Sequence, residues 1–250
     1  MKRYIRLFKN VSNWGKHFAV KIGFNSDDPV IFNLRNSIKM EVPIRLYHEF
    51  KEIFLEDCYL QGLEYPMPGS PVIVDIGANA GFFCLYAASI RPRARIISCE
   101  PIRANFEQLS RNASINPGLD ITTLPTAVYE NTGTLKLMAE SENEFTTAAT
   151  VFSIDGRVPI EVPCISLQDL FVEHDLERVD LLKLDCEGSE YSILYRCPAE
   201  QLSKVRAMAV EVHKGPGPDH NLPSLSAFLE VRGFHTRSGG NMLWARRPAA

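Results

Sequence analysis

The chain has 250 residues, which is enough to form one sizeable hydrophobic core, and its 45% apolar and 23% charged residues are typical of a globular protein. A net charge of −3 provides no overall attraction to nucleic acid. The six cysteines have neither C-x-x-C spacing nor histidines grouped with them. This pattern disfavours a disulfide framework and a metal site, and favours reduced thiols in a cytoplasmic protein.

Residues 1–70 precede the first strongly apolar segment and are interpreted as an N-terminal cap, not as an independent domain. Charged residues interrupt the apolar ones at its start, so we expect no secretory signal there. The apolar segment 72–90 has about the length of a membrane span, but Asp75, Asn79 and two glycines inside it favour a strand-turn-helix unit. Apolar residues recur at helical spacing in 45–55, and prolines at 66–71 mark a linker. We therefore expect a cap with one or two helices and a candidate hairpin, followed by a main domain over 71–250.

From residue 71 onward, strand and helix patterns alternate, which predicts an α/β fold with a mostly parallel sheet and helices on both faces. A hairpin is expected over 127–138, and the polar segment 139–158 has the irregular composition of a functional lid. The predicted strands cover 72–76, 95–101, 121–128, 159–164, 179–185 and 207–213, with a terminal hairpin of 233–237 and 242–246; the predicted helices cover 82–89, 104–115, 166–174, 189–194 and 225–232.

The strand at 72–76 leads into a glycine turn with the pattern Asp75-x-Gly77-x-Asn79-x-Gly81. Glycines permit a sharp turn and a close approach of a ligand to the backbone, and the free N–H groups of the helix that follows favour an anionic or polar ligand. The dinucleotide fingerprint is absent, because Asn79 and a phenylalanine stand at its second and third glycine positions. A phosphate loop is also absent, because no Gly-Lys-Ser/Thr follows.

Glu100 lies 23 residues beyond Gly77, at the predicted end of the next strand. A carboxylate at about this distance can accept hydrogen bonds from two ribose hydroxyls. Asp75 could bind the ammonium group of an amino acid, so the two carboxylates together suit a nucleoside joined to an amino acid, and S-adenosylmethionine is the obvious molecule. The alternative is that both carboxylates only cap helices, and their joint presence favours the ligand.

A second polar cluster lies at the ends of two later strands. Lys183 and Asp185 are two residues apart and share one face of a strand, and Glu211 and His213 repeat this pattern. If these strands are neighbours, the four side chains form one patch at the carboxyl edge of the sheet, where open α/β sheets bind ligands. We expect Lys183 and Glu211 to form an ion pair that holds the strands together, which leaves Asp185, His213 and the nearby Glu187 for chemistry.

Together these clusters resemble the FkbM-type methyltransferases, a branch of the class I S-adenosylmethionine-dependent enzymes with a Rossmann-like fold. The resemblance extends from about residue 57 to about residue 234 and rests on 74–83, 100–101, 167–170, 182–190 and 211–213. The first motif alone indicates only a class I methyltransferase, and the Lys-x-Asp-x-Glu-Gly-x-Glu block at 183–190 indicates the branch. Cys186 replaces the usual valine or isoleucine of that block.

The resemblance implies a seven-stranded sheet whose last strand is antiparallel, and it makes the strands at 179–185 and 207–213 adjacent. It also implies O-methylation of a sugar, glycan or natural-product hydroxyl with S-adenosylmethionine as the methyl donor. The acceptor is expected to be selected by residues in 1–70 and 139–158. The expected cofactor-binding residues are Asp75, Gly77, Asn79, Gly81, Phe82, Glu100, Pro101, Ala127 and Asp185.

For the methyl transfer, His213 is the first choice of general base and Asp185 the second, while Glu187 is expected to fix the loop or bind the acceptor. A metal-assisted enzyme with Asp185, Glu187, Glu211 and His213 around Mg²⁺ is an alternative, opposed by the nearby Lys183. A non-catalytic nucleoside-binding scaffold is another, but it would have no use for the second cluster. RNA methylation is disfavoured by the absence of a basic stripe.

Overall fold

The computed structural model describes residues 2–24, 27–141, 144–152 and 155–248. Within the described residues, the N-terminal part contains three α-helices and a two-stranded antiparallel sheet. Its apolar side chains, among them Leu7, Phe32 and Phe50, belong to the same buried cluster as Phe83 and Ile96 of the main domain. The elements are α1 (Lys2–Asn10), α2 (Gly15–Lys21), β1 (Val30–Asn33), β2 (Lys39–Val42), α3 (Tyr47–Lys51) and a π-helical turn (Glu52–Glu56).

A seven-stranded sheet forms the centre of the molecule. It comprises β3 (Val72–Ile76), β4 (Arg95–Cys99), β5 (Asp120–Leu124), β9 (Leu181–Leu184), β10 (Ala207–Glu211), β11 (His235–Gly239) and β12 (Met242–Arg246). The strand order is β11-β12-β10-β9-β3-β4-β5, and β12 is antiparallel to both of its neighbours. The α/β fold, the seven strands and the antiparallel last strand are therefore confirmed.

Helices cover both faces of this sheet, so the strands contribute to two separate buried clusters. Along β3, Ile73 belongs to one cluster while Val74 and Ile76 belong to the other. Alternate side chains of a strand point to opposite faces, so a strand that is apolar throughout must be covered on both. The helices are α4 (Phe82–Ile90), α5 (Arg103–Ser114), α6 (Leu167–Glu173), α7 (Glu190–Arg196), α8 (Ala199–Ser203) and α9 (Leu222–Val231).

The hairpin predicted over 127–138 is wrong. A small second sheet contains β6 (Ala127–Tyr129), β7 (Gly133–Ala139) and β8 (Val158–Ser166), with β8 between the other two. The long strand β8 pairs in parallel with β6 and antiparallel with β7, so it takes the partners that a direct hairpin would have used. The strand predicted over 121–128, with a break at Pro125, is two strands in two sheets, one on each side of that proline, whose nitrogen has no hydrogen to donate.

The sequence also led us to expect reduced cysteine thiols. All six cysteines are free thiols. Within the described residues, no helix combines the length and the apolar composition needed to cross a bilayer.

Candidate active site

The turn between β3 and α4 is built for close packing against the end of β9. Gly77 and Gly81 have positive φ angles of 71° and 83°, and Asn79 between them has φ 50°. A Cβ atom on Gly77 would lie 1.8 Å from the carbonyl oxygen of Asp185. Glycine is therefore required at position 77 both by its backbone conformation and by the space available.

Glu100 follows β4 directly and faces this turn. Its Oε2 accepts a hydrogen bond from the backbone N–H of Asn79 at 2.8 Å, and its Oε1 accepts one from Ile102 at 2.8 Å. Burial raises the pKa of Glu100 to about 7, against the opposing effect of these two hydrogen bonds. The carboxylate is thus fixed in position, and each oxygen keeps a lone pair for a ligand hydroxyl.

A cleft of about 630 Å³ lies in front of Glu100 and the turn. Six of the nine residues predicted to bind the cofactor line it: Gly77, Asn79, Glu100, Pro101, Ala127 and Asp185. The other three have different surroundings. The Cβ position of Gly81 faces Leu109 on α5, Phe82 lines a neighbouring cavity, and Asp75 is fully buried.

The described residues of the polar segment 139–158 cover one side of this cleft. Thr146, Thr147 and Ala149 are among the lining residues. The side chain of Asn105 on α5 donates a hydrogen bond to the carbonyl oxygen of Thr146 at 2.7 Å, which ties the segment to the main domain. The segment therefore has the position that a lid would need, although residues 142–143 and 153–154 lie outside the described part.

Lys183 pairs with Asp75, so the predicted ion pair with Glu211 is wrong. The Nζ atom lies 3.2 Å from Asp75 Oδ1 and donates to the carbonyl oxygen of Gly77 at 2.6 Å. Asp75 and Lys183 are register partners on the parallel strands β3 and β9, whereas Lys183 is level with Ala209 on β10. Glu211 lies two residues further along β10, and it accepts a hydrogen bond from Asn241 at 2.7 Å.

The ion pair is placed where water cannot screen it. Lys183 is 2% exposed and Asp75 is 0% exposed. Burial alone would lower the pKa of Lys183, but the charges of Asp75 and Asp185 outweigh it and raise this pKa. The ammonium group therefore stays charged and links β3, β9 and the glycine turn.

A second cavity of about 800 Å³ adjoins the cleft. Its wall combines residues from the N-terminal part, including His48, Glu49 and Glu52, with residues from the carboxyl edge of the sheet. The cleft and this cavity share five lining residues, so they meet there. The shared residues are Gly77, Asn79, Thr147, Asp185 and Glu187.

Asp185 is held at this junction by a residue from the N-terminal part. The hydroxyl of Tyr59 donates a hydrogen bond to Asp185 Oδ2 at 2.5 Å, and Lys183 Nζ lies 3.9 Å from the same oxygen. Tyr59 is itself fixed, because the indole N–H of Trp244 on β12 donates to its carbonyl oxygen at 2.7 Å. Sequence reasoning missed Tyr59, since no motif in residues 1–70 marked it.

His213 is not among the lining residues of either cavity, and carboxylates surround its imidazole. Its Nδ1 is 3.0 Å from Glu190 Oε1, and its Nε2 is 3.6 Å from Glu187 Oε2. Although burial opposes it, the hydrogen bond to Glu190 and the charges of Glu190 and Glu187 raise the pKa of His213 to about 9. The imidazole is therefore protonated at neutral pH. Glu190 also accepts the backbone N–H groups of Cys186 and Gly188.

For Glu187, burial has a larger effect on the pKa than the charge of His213. Burial raises the pKa of Glu187 to about 7, and His213 counteracts part of this rise. The residue has a left-handed backbone with φ 52°, a conformation that few residues other than glycine adopt. The hydroxyl of Thr150 donates to its carbonyl oxygen at 2.6 Å and so supports this strained conformation.

The metal alternative has partial geometric support. One ligand atom each from Asp185, Glu211 and His213 lie within 4.8 Å of one another. However, Asp185 Oδ2 already accepts the hydroxyl of Tyr59, and Lys183 Nζ lies 3.9 Å from it. An ammonium group at that distance repels a cation, so these contacts disfavour the site.

Comparisons with known proteins identify the family. The sequence model of the Methyltransferase FkbM domain matches residues 75–239. Methyltransferase sdnD of Sordaria araneosa is 32% identical over 216 residues, which are 74% of this chain and 80% of that protein. The 31-O-demethyl-FK506 methyltransferase FkbM of Streptomyces tacrolimicus is 29% identical over 213 residues, with the same 74% and 80% coverage.

A solved structure agrees on the fold. The crystal structure of Methyltransferase FkbM from Methylobacillus flagellatus KT has a TM-score of 0.52 and 19% identity, over 80% of this chain. This chain spans about half (50%) of that one. With the family match over 75–239, these findings show that the chain belongs to the FkbM methyltransferase family.

Proposed function

We propose that this methyltransferase uses S-adenosylmethionine to O-methylate a hydroxyl group of a sugar, glycan or natural product. The observation that carries the proposal is the meeting of two cavities at Asp185 and Glu187, one of them lined by Glu100 and the glycine turn. In this arrangement the first cavity would hold the methyl donor and the second the acceptor. The name of the Streptomyces tacrolimicus relative, a 31-O-demethyl-FK506 methyltransferase, supports an oxygen atom as the acceptor.

The residues of the cleft fit this cofactor. The two oxygens of Glu100 are held by backbone N–H groups and retain lone pairs for ribose hydroxyls. Pro101 and Ala127 provide apolar walls beside it. Asp75 is assigned an indirect role, because it fixes Lys183 and through it the carbonyl oxygen of Gly77.

When bound, S-adenosylmethionine supplies a sulfonium methyl group that an acceptor oxygen can attack. An alcohol is a poor nucleophile until it loses its proton, so a nearby base accelerates such a reaction. Glu187 lines both cavities and has a pKa of about 7, so its carboxylate can take this proton near neutral pH. We assign the base role to Glu187 in place of His213, whose imidazole already carries a proton at that pH.

Asp185 then has a different role from that of the base. Tyr59 holds its Oδ2, which leaves the carboxylate at the junction of the cavities with a fixed orientation. A fixed negative charge there would orient the acceptor hydroxyl and favour the positively charged methyl group. Holding the reacting groups in line is itself a large part of the acceleration in such reactions.

The proposal is tested by calorimetric titration with S-adenosylmethionine, followed by methyl transfer to a panel of hydroxylated sugars and polyketides. Glu100→Gln should weaken S-adenosylmethionine binding at least about tenfold, because an amide cannot accept from both backbone N–H groups and a ligand as a carboxylate does. Glu107→Gln on the exposed side of α5 is the matched control and should bind normally. Wild-type protein that fails to bind S-adenosylmethionine would contradict the proposal.

A chelation experiment separates this function from the metal-assisted alternative. Methyl transfer by the wild type should survive exhaustive treatment with EDTA, because Tyr59 and Lys183 already engage Asp185 Oδ2. Loss of activity on chelation, restored by added Mg²⁺, would favour the alternative.

A further inference from the structure

The N-terminal helices expose an unusual concentration of apolar side chains. Ile5 is 47% exposed, Phe8 48%, Trp14 44%, Ile22 67% and Phe24 85%. These are five of the ten large apolar side chains that are exposed in the described part of the chain, and they fall within twenty consecutive residues. Single exposed apolar residues are common, but a contiguous group of them marks an interaction surface.

Ring contacts join the aromatic members of α1 and α2 in space. The rings of Phe8 and Trp14 lie 4.9 Å apart in an edge-on arrangement, and Trp14 lies 6.0 Å from Phe18 on α2. Ile5 is one helical turn before Phe8 on α1 and shares its face. Ile22 and Phe24 follow α2 directly in the chain. We name this surface the aromatic patch; it consists of Ile5, Phe8, Trp14, Phe18, Ile22 and Phe24.

Basic residues are concentrated in the same segment as the aromatic patch. Residues 2–24 contain six lysines and arginines and no aspartate or glutamate, in a chain whose net charge is −3. Three acidic residues neutralise part of this charge, through the ion pairs Arg3–Glu56, Arg6–Asp57 and Lys16–Asp27. Three of the bases, Lys2, Lys9 and Lys21, form no ion pair within the described residues, and Lys2 and Lys9 lie on the same face of α1 as Ile5.

We propose that the aromatic patch binds the surface of an anionic lipid bilayer. Apolar and aromatic side chains of an amphipathic helix enter the boundary between headgroups and acyl chains, and flanking lysines attract acidic headgroups. A tryptophan is suited to this boundary, because it has an apolar body and a polar N–H group. The inference does not depend on the methyl acceptor, because it rests only on exposure, ring contacts and charge.

The charges favour this occupant over a second copy of the chain. An isologous dimer formed through the aromatic patch would bring the same lysines of both copies together, which costs free energy. A bilayer also requires no complementary groove, which suits side chains that project from two short helices. An acidic protein partner is the remaining possibility, and the experiment distinguishes it.

The test is co-sedimentation of the whole protein with vesicles. The protein should sediment with phosphatidylcholine vesicles that contain about 30% phosphatidylserine, remain in solution with phosphatidylcholine alone, and be released by high salt. Trp14→Ser combined with Phe24→Ser should lower binding about tenfold or more, by loss of buried apolar area. Lys9→Glu should lower it about fivefold or more, by reversing one charge.

The matched control is Val172→Ser combined with Val231→Ser, which removes side chains that are 62% and 85% exposed elsewhere on the surface. This control should sediment like the wild type, and circular dichroism and thermal unfolding should show that every variant is folded. The proposal is overturned if the wild type does not sediment with anionic vesicles, or if the control loses as much binding as the patch variants do. It is also overturned if the patch instead forms a dimer in sedimentation equilibrium, or if it binds an acidic polypeptide such as polyglutamate and not the vesicles.

Discussion

At the scale of single residues, Glu187 and His213 face each other across 3.6 Å, and each changes the protonation of the other. The charge of His213 lowers the pKa of Glu187, and the charge of Glu187 raises the pKa of His213. Besides His213, the charged groups that act on Glu187 are Asp185, Glu190 and Glu211, all of which raise its pKa. In the proposed mechanism, Glu187 is therefore a carboxylate base and His213 is its fixed cationic partner.

This arrangement predicts a specific pH dependence. A base with a pKa of about 7 is protonated and inactive below that pH, so kcat should rise between about pH 6 and pH 8 and then level off. Glu187→Gln should lower kcat at least about a hundredfold while the Kd for S-adenosylmethionine stays within about twofold. The measurement is the pH profile of kcat at saturating S-adenosylmethionine, so that any change in cofactor binding does not affect the measured rate.

A variant of His213 distinguishes the two candidate bases. If Glu187 is the base, His213→Asn removes a cation that lowers its pKa, so the rise in kcat should move to higher pH and activity should return there. If His213 is the base, the same variant should be inactive at every pH. Inactivity across the range, with normal folding and cofactor binding, would contradict the assignment to Glu187.

The buried pair of Asp75 and Lys183 gives a prediction about stability. Asp75→Asn keeps the shape of the side chain but leaves the ammonium group of Lys183 without its nearest carboxylate in a fully buried site. Removing one partner of a buried pair costs about 3–5 kcal/mol in the free energy of unfolding. Denaturant unfolding at pH 7 measures this cost. If the variant is as stable as the wild type but binds S-adenosylmethionine more weakly, the result would instead indicate that Asp75 contacts the ligand directly.

At the scale of elements, the turn between β3 and α4 and the end of β9 act as one unit. Gly77→Ala should force these two loops apart, because a Cβ atom would lie 1.8 Å from the carbonyl oxygen of Asp185 and the φ of 71° disfavours alanine. We expect loss of S-adenosylmethionine binding and a destabilisation of about 2 kcal/mol or more. Gly118→Ala is the matched control, since no atom lies within 4 Å of its Cβ position. Equal effects of the two substitutions would contradict this explanation.

The elements also differ in how well local patterns predicted them. The strand, glycine turn and helix over 72–90 were predicted correctly, because a β-branched run, two glycines and helical periodicity are local signals. The pairing of β6 and β7 was predicted wrongly, because β8, which begins only at Val158, inserts between them. Turn chemistry at 131–133 indicated a reversal of the chain but not the partner of each strand.

At the scale of the whole molecule, the N-terminal part contributes directly to the site through Tyr59. Its hydroxyl fixes Asp185 Oδ2, so Tyr59→Phe should free the carboxylate and lower kcat about tenfold, with the Kd for S-adenosylmethionine unchanged. Tyr195→Phe is the control, because the hydroxyl of Tyr195 donates to the backbone carbonyl oxygen of Asp219 and Tyr195 is not among the lining residues of either cavity. A purely structural role for Tyr59 would instead lower the free energy of unfolding without changing kcat of the folded protein.

The sequence by itself determined the α/β class, the glycine turn, the position of Glu100 and the family block at 183–190, because each depends on residues that are close together in the chain or on periodicity. Only the tertiary structure decided which carboxylate pairs with Lys183, because the register of β3 and β9 places Asp75 opposite it and leaves Glu211 two residues further along. The tertiary structure also brought Tyr59 to Asp185, 126 residues away in sequence, and surrounded His213 with carboxylates. Distances and desolvation of this kind set the pKa values of a site, and no local pattern encodes them.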